Sequence, residues 1–505
     1  AHTEALLGAP APHRNVRIMV TMPSEAADDY DLVYQLLQQG MNCMRINCAH
    51  DEPATWLRMI QHLRRAEQSL GMSCHVLMDL GGPKLRTGPI EPGPMVLKWR
   101  PQRNEYGRVT KPARIWLTRQ EAPALPPTPA AGVLPVPSAW LARLAIDDHI
   151  ELSDTRHFKR LLHVVDVTPE GCWAEARRTA YVVPGTLLHH HAANRTLSNS
   201  DAVAAVGDLP ARENALLLKQ GDHLRLTKAL TPGRAATVDS AGQVLSPARI
   251  GCTSPEIFAD VQVGEHVWLD DGKLGSVIEQ ATADYLDLRI THTRATGDKL
   301  RSDKGINFPE SALTLPALTD KDIEDLTFVA QYADLVGLSF ANQAADVALL
   351  HEHLTRLGGK QPAIVIKVET RRGFEQLPAM LLTALKTGGV GVMIARGDLA
   401  VECGYERLAE VQEEILWVCE AAHCPVIWAT QVLETLAKEG IPSRAEITDA
   451  AMGHRAECVM LNKGPHIVKT VHTLDDILQR MEAHQSKKQS MLRELRLAQT
   501  FATHS

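Results

Sequence analysis

Lys367 and Glu369 stand two residues apart in the apolar run IVIKVE. In an extended strand that spacing puts both side chains on one face. Burying an ammonium and a carboxylate behind Ile364, Val365 and Ile366 is costly unless they pair or bind something. Two readings are open: a buried ion pair, or a carboxylate ligand for a hard cation with the lysine facing transferred charge. Asp398, in MIARGDLA, supplies a second carboxylate. Two carboxylates with substrate oxygens and waters suit Mg²⁺, or Mn²⁺ in its place. Gly397 stands where the apolar run gives way to a helical pattern, a place where backbone N–H groups hold anions. Arg45, in CMRIN, offers a planar fork for a phosphate. This set suits phosphoryl transfer. It equally suits enolate chemistry on a 2-oxo acid, as in a lyase or aldolase. A metabolite sensor without catalysis is the third class it allows.

These residues need elements to position them. RIMVT (17–21), CMRIN (43–47) and CHVLMD (74–79) read as strands separated by amphipathic helical patterns. A second series starts near Gly305: ADLVGLSF (333–340), AIVIKVE (363–369), GVMIARGD (391–398), PVIWAT (425–430) and ECVMLN (457–462). Eight βα units of this kind predict an α/β fold, a TIM (β/α)8 barrel, whose active site lies at the C-terminal strand ends. The strand ends carry Arg45, Asn47, Asp79, Ser339, Lys367, Glu369, Arg396, Asp398, Thr430 and Asn462. G-x-G-x-x-G after the first strand and G-x-x-x-x-G-K-[ST] are both absent, so any nucleotide is held in another way.

The barrel is interrupted after strand three by a segment of different texture. Proline clusters punctuate short alternating runs such as RIWLT, HIEL, LRLT and HVWLDD, which reads as an antiparallel all-β lid region. LARLAIDDHIELSDTR (141–156) lies over FADVQVGEHVWLDDGK (258–273) without a gap, and RIWLTR precedes the first as HLRLTK precedes the second. Two tandem copies of one small β barrel are expected. The division is barrel 1–88, lid copy one 89–205, lid copy two 206–304, barrel 305–485 and a charged helical tail 486–505. In copy one Ser153 and Thr155 replace Asp270 and Gly272, which fits a structural or partner surface. His189–His191 reads as a solvated loop, because no second ligand cluster with metal spacing accompanies it.

Composition narrows the class. The chain has 505 residues, 45% hydrophobic and 22% charged, with a net charge of −7. That excludes a largely disordered chain and implies no nucleic-acid surface. No apolar run approaches the ~20 residues of a membrane span, and the N-terminus lacks the pattern of a secretion signal. Nine cysteines without a C-x-x-C pair fit reduced thiols and a cytoplasmic location. Cys43 and Cys48, flanking the second strand, are expected in the core.

At this point the motifs resemble the pyruvate kinase family. MRINCAH is similar to its R-x-N-x-S-H, MDLGGPKLRTG to its D-T-K-G-P-E-I-R-T-G, IVIKVET to I-x-K-I-E-N, MIARGDLAVE to M-V-A-R-G-D-L-G-x-E, and WATQVLET to x-A-T-Q-M-L-E-S. VWLDDGK and SDKGINFP resemble lid segments of the family. The resemblance spans nearly the whole chain, in family order, and points to a branch with a duplicated lid and no C-terminal effector domain. It implies phosphoryl transfer from phosphoenolpyruvate to ADP, with ATP as product. Glu369 and Asp398 would bind Mg²⁺, and Lys367 would stabilise the transferred group and the enolate. Arg45 and Arg86 would contact phosphate oxygens, and Ser339 would help bind substrate. The N–H groups of Arg396, Gly397 and Asp398 would hold the substrate carboxylate, and Thr430 would place the proton donor. Asn47, His50, Arg86, Asp271 and Lys304 would face the nucleotide as the lid closes. A homo-oligomer through a barrel face is compatible with the family.

Departures from the family pattern sharpen the expectation. At its K⁺ site stand Asn47, Ala49, Asp79 and Leu80, so two side-chain hydroxyls are missing. Lys84 replaces the glutamate of K⁺-requiring members and brings the same unit charge covalently, so K⁺ is not required. MLNKGPH (460–466) replaces M-L-S-G-E-T-A, TMPSEA stands for T-I-G-P-A-S, and SFANQA for S-F-I-R-K-A. These changes cluster on the nucleotide side.

Overall fold

The structure, a computed structural model, describes residues 2–193, 202–386 and 388–482. Eight parallel strands close into a barrel: β1 (Arg17–Thr21), β2 (Cys43–Asn47), β3 (His75–Asp79), β4 (Leu335–Leu338), β5 (Ala363–Val368), β6 (Val390–Ala395), β7 (Val426–Ala429) and β8 (Cys458–Leu461). Each pairs with the next, and β8 returns to β1 through Ile18↔Val459 and Val20↔Leu461. Outward residues such as Ile18, Val20, Met44, Ile46, Val76 and Met78 pack in the main core with the surrounding helices. Inward residues including Met19, Leu77, Val365 and Ile427 form a second core, closed by Leu6 and Leu7 of the helix His2–Leu7. Both faces of each strand are therefore covered, which is why the strands read as continuous apolar runs.

The inward rows change character along the strands. On β2 they run Cys43, Arg45, Asn47, and on β5 Val365 and Lys367, with Glu369 next beyond the strand. Every second residue points inward, so an apolar plug at one end gives way to charge at the other. β4 contributes Gly337 opposite Asp79, where an added Cβ would overlap Asp79 Oδ1. The expected strand 391–398 is shorter: β6 stops at Ala395, the last residue with ladder partners, and Arg396–Cys403 is already helix. Without a ladder to join, the backbone N–H groups there turn into the first helical turn.

The all-β region lies between β3 and β4. One sheet has the order 202–205, 187–191, 149–153, 159–167, 171–176, 113–119, 132–136, and falls within a compact unit, Ile90–Ala215. The other, grouped with the barrel, has the order 306–307, 266–269, 274–281, 285–292, 223–227, 248–251. Both end in a parallel pair, 113–119 with 132–136 and 223–227 with 248–251. Both also carry the same backbone exchange: Asp147 with Val164 and Val164 with Asp148 in the first, Gly264 with Ile278 and Ile278 with Glu265 in the second. Asp148 and Glu265 each accept from the residue three before, Ala145 and Gln262. The second sheet runs on to Asn307, past the expected edge at 304, because Ile306 pairs with Leu269.

His189–His191 corrects the sequence reading: they belong to the strand Leu187–His191, not to a solvated loop. They pair on one side with 149–152, about forty residues upstream, and on the other with 202–205. All nine cysteines are free and buried. No described helix is long and apolar enough to cross a membrane. The expected tail 486–505 lies outside the described residues.

Candidate active site

A cavity of about 460 Å³ opens at the C-terminal end of the barrel. Arg45, Asn47, His50, Lys84, Arg86, Ser339, Lys367, Glu369, Asp398 and Thr430 line it. Its floor is an ion network. Arg45 Nε donates to Asp79 Oδ2 at 2.9 Å, its Nη2 also pairs with Asp79, and Nη1 donates to Thr21 Oγ1 at 2.9 Å. Lys367 Nζ lies 3.2 Å from both Asp79 Oδ1 and Glu369 Oε1 and donates to Ser339 Oγ at 2.6 Å. Ser339 Oγ in turn donates to the Leu80 carbonyl at 2.7 Å.

The charges follow from that packing. Burial alone would raise the Asp79 carboxyl, but Lys367 and Arg45 outweigh it and hold it below the usual carboxylate range. Burial would likewise lower Lys367, yet Asp79 and Glu369 keep it above the ordinary lysine value, so the ammonium stays charged. Glu369 is raised, first by burial and then by Asp398 and Asp79, with Lys367 only partly offsetting them. Its Oε2 accepts from the Phe340 N–H at 2.6 Å. Phe340 sits at φ +54°, the left-handed backbone that turns the chain at the end of β4. A cation beside Glu369 and Asp398 would relieve their repulsion, so an oxygen-only donor set at a cavity wall fits a hard divalent ion.

The strand-seven tip is held under strain. Thr430, Gln431 and Leu433 have φ of +61°, +56° and +47°, each costing about 1 kcal/mol for an L-residue. Arg396 braces the turn: Nε donates to the Ala429 carbonyl at 2.9 Å, Nη2 reaches the Thr430 carbonyl and Nη1 pairs with Asp449. Its side chain thus points away from the cavity, unlike a substrate arm. The Gly397 N–H donates to Thr430 Oγ1 at 2.8 Å, so a substrate carboxylate would share that donor.

On the lid side, Arg86 Nη1 lies 3.2 Å from Asp303 Oδ1 and donates to the Asp303 carbonyl at 3.1 Å. Lys304 and Asp271 do not line the cavity; Lys304 Nζ faces Asp270 at 3.6 Å. Gly305 lies between Asp271 and Lys84, since a Cβ there would come 3.6 Å from Asp271 Oδ1 and from Lys84 Cε. Lys84 Nζ stands 3.4 Å from Asp398 Oδ1. Asn47 Oδ1 accepts from the Ala49 N–H at 3.2 Å.

Sequence reasoning missed several residues. Thr21 ends an apolar strand and gives no sign of its bond to Arg45. Asp322 accepts from the N–H groups of Gly81 and Gly82 at 2.9 and 3.3 Å while capping its own helix with Thr319. The pattern T-D-K-D before a helical run signalled the cap, not the loop it steadies. Lys321, on the same turn, also lines the cavity.

A closed parallel barrel with charged strand tips around one cavity, interrupted by β sheets after its third strand, defines a (β/α)8 barrel of the enzyme kind. More narrowly, the chain belongs to the pyruvate kinase family: the family model described as "Pyruvate kinase, barrel domain" matches residues 13–104 and 200–465. The intervening 105–199 falls within the compact unit Ile90–Ala215. Pyruvate kinase of Mycobacterium tuberculosis is 34% identical over 237 residues, 46% of this chain and 48% of the relative. Pyruvate kinase of Mycobacterium intracellulare is 32% identical over 272 residues, 51% of this chain and 56% of the relative. Pyruvate kinase of Hypocrea jecorina is 30% identical over 366 residues, 67% and 64% of the two chains. The chain spans about half the length of most of these curated relatives.

Proposed function

We propose that this protein transfers the phosphoryl group of phosphoenolpyruvate to ADP, giving pyruvate and ATP. The observation that carries the reading is Lys367, buried yet held charged by Asp79 and Glu369 at the cavity floor. An ammonium there faces a transferred phosphoryl group and the enolate oxygen it leaves. Glu369 and Asp398 would hold Mg²⁺, which when bound neutralises phosphate charge and polarises the phosphoryl group. The terminal oxygen of the diphosphate attacks phosphorus, the bond from phosphorus to the enol oxygen breaks, and the enolate takes a proton at carbon. Arg45 and Arg86 orient phosphate oxygens, and Thr430 positions the proton donor. Asn47, His50, Asp271 and Lys304 serve the nucleotide side once the lid closes and excludes water. The shared strand order and backbone exchange of the two sheets support a duplicated lid.

K⁺ is dispensable in this reading. Lys84 supplies a fixed cation beside Asp398, and the Leu80 carbonyl is already engaged by Ser339. The test is pyruvate formation from phosphoenolpyruvate, ADP and Mg²⁺, with and without K⁺ in a Tris buffer, beside Lys367→Met. Turnover that is K⁺-insensitive and vanishes in Lys367→Met is expected. No turnover with any nucleoside diphosphate overturns the kinase reading in favour of a lyase or sensor. A manyfold rise with K⁺ overturns the role of Lys84.

A further inference from the structure

The histidine run 189–191 acquires partners across the sheet of the unit Ile90–Ala215. His191 lies directly opposite His149, His149 directly opposite His163, and His189 opposite Glu151. Directly opposed residues share a face with Cβ atoms about 4.5–5.5 Å apart, and alternate residues of one strand share it too. His149, Glu151, His163, His189 and His191 therefore occupy one face. Ile150, Leu152, Leu162 and Leu188 occupy the other, inside the core. His190 faces that core, with Nε2 2.7 Å from Asp148 Oδ2, and takes no part.

A second observation points to a ligand. His191 is only 4% exposed, and neither of its ring nitrogens has a hydrogen-bond partner among the described residues. Buried polar groups are satisfied in nearly all native sites, so an imidazole with both nitrogens unpaired is an exception that calls for a cause. Its neighbours have other contacts. The His149 and His163 rings lie tilted by 37° with centroids 5.2 Å apart, His163 Nε2 sits 3.1 Å from Asp147 Oδ1, and Glu151 accepts from Lys159 Nζ at 2.8 Å. In this arrangement no three donors among the described residues are gathered at one point. Side-chain rotation alone has to gather them; the backbone register already places them on one face.

We propose that this face binds one transition-metal ion of the Zn²⁺ class, with His189, His191 and His149 as ligands. Two histidines at alternate positions of one strand and a third from the adjacent strand supply three imidazoles to one side of a sheet, leaving a fourth position for water. Imidazoles select Zn²⁺, Ni²⁺ or Cu²⁺ over Mg²⁺, so the site is distinct in chemistry from the barrel carboxylates. Glu151, opposite His189, stands where it can accept the second ring N–H of a ligand and fix its tautomer. In the other sheet the corresponding His266 has Val277 opposite it and pairs with Glu310 instead. The imidazole set belongs to the first sheet alone.

The test uses the full-length, metal-free protein with Mg²⁺ in excess to occupy oxygen-donor sites. Zn²⁺ is titrated against a chromophoric chelator, and Co²⁺ serves as a spectroscopic probe. One equivalent of Zn²⁺ is expected to bind, with Co²⁺ giving a nitrogen-ligand spectrum. His189→Ala and His149→Ala, both less buried than His191, should each weaken binding at least ~10-fold. Their metal-free circular dichroism should match the parent, and Glu369→Gln should leave Zn²⁺ binding unchanged. Absence of stoichiometric binding overturns the proposal. So does binding that both histidine variants retain, or that Glu369→Gln abolishes.

Discussion

Glu402 lies in the last turn of the helix Arg396–Cys403, and the residue is 8% exposed. Oε1 accepts from Asn307 Nδ2 at 2.9 Å, which ties the last lid strand to that helix. Burial lifts the carboxyl from 4.5 to about 7, and the Asn307 bond only partly offsets it. Between those two values the folded protein keeps a proton that the unfolded chain has released. Stability from this group therefore falls as pH rises across that window, and the cost is complete above about 7. At 1.36 kcal/mol per decade the whole window is worth about 3 kcal/mol. Glu402→Gln keeps the acceptor for Asn307 and the shape and removes the charge. The variant should be more stable than the parent by about 3 kcal/mol at pH 8 and by less than about 1 kcal/mol at pH 5. Urea unfolding followed by tryptophan fluorescence, with unchanged m, measures the difference. A difference that is constant with pH, or a variant less stable at pH 8, would refute the burial argument.

Gly337→Ala puts a Cβ onto Asp79 Oδ1. It should cost about 2 kcal/mol or more of stability and lower turnover by displacing Asp79 from Lys367; unchanged kinetics would show that the network tolerates the shift. Lys84→Glu replaces the ammonium 3.4 Å from Asp398 with a carboxylate. Its turnover should collapse without K⁺ and recover with it, while the parent stays flat in a K⁺ titration. Thr319→Ala removes a capping box from the helix Asp320–Tyr332 and should cost about 1 kcal/mol in chemical denaturation, with equal stability counting against the cap.

The barrel was legible because parallel strands covered on both faces write themselves as apolar runs, and alternation alone predicted that Lys367 and Glu369 share a face. What local sequence could not write was any contact between strands. Asp79 meets Lys367, Arg45 and Gly337 only because β2, β3, β4 and β5 are neighbours in a closed barrel. The left-handed turns at Phe340 and Thr430 carry no glycine to announce them. They are held by Glu369 and Arg396, which are distant in the chain. The solvated-loop reading of His189–His191 failed for the same reason, since the strands that pair with them lie elsewhere in the chain. The sequence by itself determined the repeating βα units, the lid's place between strands three and four, and the residue types at the strand tips, because periodicity and composition are local. Only the tertiary structure decided which of those groups share a cavity, which charges survive burial and which side chains merely brace a turn. Those outcomes depend on distances between strands, and pairing across the sheet sets them.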